Sequence, residues 1–149
     1  MSVDFLRLIP TAPQLVPNTA AQQMTLQLLK SFVPQADGVY LSVTDDVEFV
    51  DPGSNLERIL CPVCLSHLET LWWQQAMDTA YGTRFNDLMV IVPCCGTVCS
   101  LNDLQYEFPA GFARFILEAR HPNTDLDKNQ IHLLEQTLGC PLRKIWAHY

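Results

Sequence analysis

Positive charge is scarce in this chain. Nine Lys and Arg stand against sixteen Asp and Glu, for a formal net charge of −7. A nucleic-acid surface needs a basic stripe with interleaved aromatics, and the chain has none, so no nucleic-acid partner is expected. Long apolar runs are missing too. No stretch approaches the eighteen or so apolar residues of a membrane-crossing helix, so no membrane partner is expected. The opening "MSVDFLRLIP" places Asp4 early and has neither a basic leader nor a long apolar segment. It does not read as a signal peptide, and a cytoplasmic setting with reduced thiols is expected. Catalytic signatures are lacking as well: no nucleophile elbow, P-loop, Rossmann glycine pattern or H-E-x-x-H occurs.

What is present can build a core. The 149 residues are 48% hydrophobic and 17% charged, which fits one globular domain over 1–149. Its two ends read alike. "VDFLRLIP" is a strand candidate, Asn18 or Thr19 can cap a helix, and Met24, Leu28 and Phe32 recur at helical spacing with Leu29 and Val33 beside them. "GVYLSVTDDVEFV" follows as one or two strands. From residue 112, "FARFILEAR" alternates Ala113, Phe115, Leu117 and Ala119 against Arg114, Ile116, Glu118 and Arg120. Thr124 or Asp125 is the next cap candidate. A helix apolar at Ile131, Leu134 and Leu138 stops at Gly139, and "LRKIWAHY" closes as a strand. Two βαβ halves, 1–55 and 108–149, predict an α+β fold of ferredoxin-like sandwich type with an antiparallel sheet. Residues 56–107 are then an insertion.

Five of the six cysteines lie in that insertion. "CPVC" has the spacing by which Cys61 and Cys64 wrap one tetrahedral ion, and structural zinc takes four such ligands. "PCCGTVC" offers Cys94, Cys95 and Cys99 for the other two places. The gap between clusters exceeds the usual ribbon spacing of about 15–20 residues. A helix within "SHLETLWWQQAMDTAYG", with Leu68, Leu71, Trp72 and Ala76 as its stripe and Trp73, Met77 and Ala80 alongside, and a strand in "DLMVIVP" account for the excess. This is a zinc-ribbon-like pattern holding one structural Zn2+. Both vicinal cysteines can bind if the peptide turns sharply beside Gly96, or Cys99 takes one place, or His67 substitutes. Cys140 reads as a small buried residue. A strand followed by C-P-x-C and a helix is also how thiol-disulfide redox proteins present their thiols, so a redox pair of Cys61 and Cys64 is the alternative. The second cysteine cluster favours the metal.

The combination of "EFVDPGSNLERILCPVC", a WW-containing helix, "PCCG" and "SLNDLQYEFPAGFARFILEARHPN" resembles a group of small uncharacterised bacterial proteins. The resemblance implies Cys61, Cys64, Cys94 and Cys95 as the metal ligands, with Cys99 a local addition. It brings no activity with it.

Asp103 or Glu107 could pair with Arg114, Glu118, Arg120 or His121 as an acid–base site, but Ser100 and Asn102 look like cap and turn residues and the strand charges look solvated. A closed four-thiolate site likewise argues for structure over catalysis. From Asp45 to Glu57 the chain carries five carboxylates and no basic residue. That stretch reads as a solvated loop, or as a docking patch for a cationic protein. Trp72, Trp73 and Trp146 are read as core first and contact residues second. The expected function is a non-enzymatic, zinc-stabilised protein-binding module. By analogy with small acidic bacterial proteins, an immunity protein neutralising a basic toxin is its most concrete form.

Overall fold

The computed structural model describes residues 4–54 and 56–149. Val3, where the first strand is expected to begin, and Asn55, at the expected insertion boundary and inside the acidic stretch, lie outside the described residues. Strand β1 (Asp4–Pro10), helix α1 (Thr19–Phe32) and strand β2 (Gly38–Val50) open the chain; strand β7 (Gly111–Arg120), helix α3 (Lys128–Leu138) and strand β8 (Leu142–His148) close it. The four strands form one antiparallel sheet in the order β2-β7-β1-β8. Each half therefore runs out along one strand, crosses by a helix, and returns two places away in the same direction.

The expected alternation in β7 is what the sheet uses. Phe115, Leu117 and Ala119 are buried with Leu6 and Leu8, and the two helices cover them through Leu29, Leu134 and Leu138, with Val33 just past the end of α1. Cys140 joins this core, as a small buried residue should. Burying a Leu or Phe side chain contributes about 1.5–3 kcal/mol, so this layer is the main stabiliser of the frame.

Four local expectations need correction. Helix α1 does not turn Met24 inward; Met24 is 64% exposed, and Gln22 and Thr25 are buried in its place, beside the expected Leu29. Two polar residues can lie there because Gln22 Nε2 donates to Pro17 O at 2.8 Å and Thr25 Oγ1 to Ala21 O at 2.7 Å. Helix α3 is capped by Asp127, in a reciprocal capping box with Gln130, rather than by Thr124 or Asp125. Asp125 is occupied elsewhere, accepting from Lys144 and the Trp146 indole. In α2 (Thr70–Tyr81), Leu71 is 64% exposed, and Trp73 and Ala80 carry the buried face. Finally, the acidic stretch is not one loop. Asp45, Asp46 and Glu48 belong to β2, where the pairing with β7 shifts register between Val43 and Glu48. Within the displaced segment Val47 turns inward, and both aspartates are left exposed.

Residues 56–107 fold as short elements: β3 (Ile59–Leu60), α2, β4 (Met89–Ile91), β5 (Val98–Ser100), a 3-10 turn at Leu101–Asp103, and β6 (Gln105–Tyr106). β3 pairs with β6 and β4 with β5, both antiparallel. Their core gathers Cys61, Leu68, Trp73, Val92, Leu101 and Tyr106, and it also takes Val47 and Phe112 from the frame. The insertion is therefore not a self-contained body. Buried Asn102 joins the two parts: its Nδ2 donates to Thr11 O at 3.0 Å and its Oδ1 accepts from Phe112 N at 3.1 Å. Arg143 Nη1 from β8 closes the seam on Asn102 O at 3.0 Å and Ala110 O at 2.8 Å. Among the described residues, no helix is long and apolar enough to cross a membrane.

Candidate metal centre

Two tight turns carry the cysteines, and they are built alike. In "CPVCLS" the Leu65 amide donates to Cys61 O at 3.0 Å, and the Cys61 amide to Ser66 O at 2.9 Å. In "VPCCGT" the Gly96 amide donates to Val92 O at 3.0 Å, and the Val92 amide to Thr97 O at 3.1 Å. Each turn thus joins position one to positions five and six, with Pro second in both. Position five is left-handed in both, at φ 62° for Leu65 and 71° for Gly96. Glycine takes that conformation freely; leucine does not.

The turns face one another. Cys61, Cys64, Cys94 and Cys95 offer four sulfurs that all lie within 4.8 Å of each other. Cys61 and Cys95 sulfurs are 3.8 Å apart, and Cys64 and Cys94 sulfurs 3.3 Å. A tetrahedral ion about 2.3 Å from each sulfur sets sulfur–sulfur separations of about 3.8 Å, so the cluster has the size such an ion needs. The four can hold one metal ion.

The two other candidates stand apart. Cys99 lies on β5, half-buried against the insertion's core, with its thiol pushed up by burial. His67 is exposed, and its backbone bridges Leu60 across the first turn. Neither joins the sulfur group.

Electrostatics divide the cluster. The Ser66 hydroxyl, 3.2 Å from Cys64, together with the Ser66 backbone, lowers the Cys64 thiol to about 6. Thr97 does the same for Cys95 through its hydroxyl at 3.2 Å, lowering that thiol as well. Cys94 goes the other way. Desolvation and the hydrogen bond shared with Cys64 push it up to about 12. Cys64 is thus poised as a thiolate and Cys95 is shifted in the same direction, while Cys94 gives up its proton only to a strong competitor such as a cation.

The polar residues after the second turn are spent on structure. The Tyr106 hydroxyl donates to Leu101 O at 2.8 Å and accepts from the Trp73 indole at 3.3 Å. Asn102 is tied into the seam. Arg114 Nε donates to Thr44 O at 2.9 Å, and Glu118 pairs with Arg7 at 2.9 Å. Asp103, Glu107 and Arg120 are exposed and are not gathered into a site. The seam residue the sequence did not reveal is Arg143, whose only local signal is a charge beginning a strand. No family model, curated protein or solved structure matches the chain.

Proposed function

We propose that this chain is a non-enzymatic, zinc-stabilised protein-binding module of the cytoplasm, in which a zinc-ribbon-like insertion rides on a ferredoxin-like frame. The frame reading rests on two β–α–β halves interleaved in the order β2-β7-β1-β8. The ribbon reading rests on two matching turns that bring one cysteine pair each. Four thiolates suit zinc and disfavour hard cations such as magnesium or calcium.

The observation that carries the reading is the closed sulfur set. Four protein ligands fill a tetrahedral ion's places and leave none for water or substrate. Function then falls to the surface. Asp45 and Asp46 stand exposed on the bulged part of β2 and Glu48 where pairing resumes, while Asp51 is drawn inward by the Gly53 amide and the Tyr149 hydroxyl. Asp46 has only the exposed Arg84 near it, at 3.9 Å. A basic protein suits these exposed carboxylates, and a toxin held by its immunity protein is the most concrete such partner.

A thiol-disulfide role for Cys61 and Cys64 has less support. Cys61 is 0% exposed, and α2 begins only at Thr70, after the chain has turned back along β3. The helix N-terminus that would activate a redox thiol is not at the turn. Metal analysis separates the two: one tightly held zinc per chain is expected, and a metal-free protein with an easily reduced Cys61–Cys64 disulfide would reverse the choice. For binding, affinity for a basic partner captured from the native host should fall with added salt and with Asp45→Lys or Glu48→Lys. Salt-insensitive capture that ignores both substitutions removes the acidic face from the proposal.

A further inference from the structure

We infer that Cys94 is a modification site, the one metal thiolate of the cluster that soft alkylating electrophiles attack first. The inference rests on the four-thiolate zinc reading above and concerns how those four sulfurs differ. Three sit at the turn positions that the backbone supports. Cys61, at the first position, is buried and accepts from the Val63 amide at 3.4 Å. Cys64 and Cys95, at the fourth position of each turn, have the Ser66 and Thr97 hydroxyls at 3.2 Å. Cys94 occupies the third position, where the first turn carries Val63, a side chain 59% exposed. It too is exposed, and among the described residues its sulfur meets no N–H or hydroxyl, only other sulfurs, with Cys64 at 3.3 Å and the other two within 4.8 Å.

Hydrogen bonds to a ligand sulfur draw off its charge and lower its nucleophilicity, and outer partners tune a ligand in the same way as the metal does. The sulfur without them keeps the most electron density and is open to solvent. Its reaction balances without an oxidant or reductant. A Cys94 lone pair forms the sulfur–carbon bond, the bond from carbon to its leaving group breaks, and that group departs as an anion with the electron pair. Cys94 becomes a thioether, a weaker ligand, so alkylation there loosens the ion.

The test treats the zinc-loaded full chain with less than one equivalent of iodoacetamide, locating the label by peptide mass spectrometry and following zinc release with a coloured chelator. Cys99 and Cys140 lie outside the cluster and are scored separately. Cys94 should carry about tenfold more label than Cys64 or Cys95, within the roughly 10–100-fold range of outer-partner effects, and zinc release should track it. Ser66→Ala and Thr97→Ala should raise the label on Cys64 and Cys95 respectively, which bare exposure would not do. Equal labelling of the three exposed sulfurs, or a label order unmoved by both substitutions, overturns the inference with zinc binding intact. A chain that holds no zinc overturns the zinc reading and this inference with it.

Discussion

In the first turn the sulfurs sit at positions one and four, as Cys61 and Cys64; in the second, position one is Val92 and the sulfurs move to Cys94 and Cys95. The backbone bonds are the same, from position five to one and from one to six. So are the second-place proline and a hydroxyl at position six. Cys61 and Val92 are both 0% exposed, so the two first positions point into the same core. The turn is set by its hydrogen bonds and its left-handed fifth residue, and the cysteines are placed upon it afterwards. A regular pair and an irregular pair thereby reach the same cluster.

The largest effect should come from taking the ion away. Neither hairpin has a strand longer than three residues, so the backbone pairing that holds each turn is slight. Chelation should free the amides of Cys61, Leu65, Val92 and Gly96 to exchange, while those of β1 and β7 keep their protection. The thermal midpoint should drop on the order of 10 °C, several kcal/mol at about 2–4 °C for each in a chain this size. Uniform loss of protection through the frame would show that the two regions are one cooperative unit. Acid should weaken the ion's hold in a definite direction. Cys94, raised to about 12, is protonated in the metal-free chain at neutral pH, so binding must expel its proton and affinity falls as pH falls. Below about pH 6 the Cys64 proton competes as well, and the dependence steepens. A flat affinity from pH 8 to 5 would contradict this.

A smaller and more pointed test exchanges the irregular ligand for a regular one. Cys94→Val leaves three thiolates and should weaken zinc binding by more than the roughly 10–100-fold that an outer partner is worth. Adding Val92→Cys to that variant turns "VPCCGT" into the arrangement of the first turn. Competition titration should then recover most of the lost affinity. No recovery would mean that the two first positions are not equivalent and that the likeness of the turns stops at the backbone.

Much of the frame was legible because its signals are local. The alternation from Ala113 to Ala119 and the stop at Gly139 needed only a few neighbours. Of the buried face of α1 only Leu29 was legible, since Gln22 and Thr25 satisfy their polar groups on nearby backbone carbonyls, and hydropathy counts them as exposed. The seam was hidden for another reason: Asn102 and Arg143 are far apart in the chain, and neither lies in a recognisable pattern. For the cluster, spacing showed that two thiol pairs were available but left Cys99 and His67 in contention. Only the folded hairpins place Cys99 on a strand against the core and His67 outside the sulfur group. The bulge in β2 is a register shift, and no residue pattern announced it.

The smallest effect sits at the fifth position, where the turns differ without any ligand being involved. Leu65 holds φ 62° and Gly96 holds φ 71°. A left-handed conformation costs a residue with a Cβ about 1–2 kcal/mol, against about 0.5–1 kcal/mol of chain entropy that glycine loses on folding. Leu65 is 58% exposed, so removing its side chain sacrifices little burial. Leu65→Gly should therefore stabilise the zinc-loaded protein by about 0.5–1 kcal/mol. The reverse holds at the second turn. A Cβ on Gly96 would meet nothing within 4 Å, so Gly96→Ala is penalised by its backbone angle alone and should cost about 1 kcal/mol. Denaturant unfolding of the two variants checks both signs. Opposite shifts of similar size would mean the turns are energetically the same device, whereas a destabilising Leu65→Gly would mean that the leucine side chain contributes a contact the second turn does without.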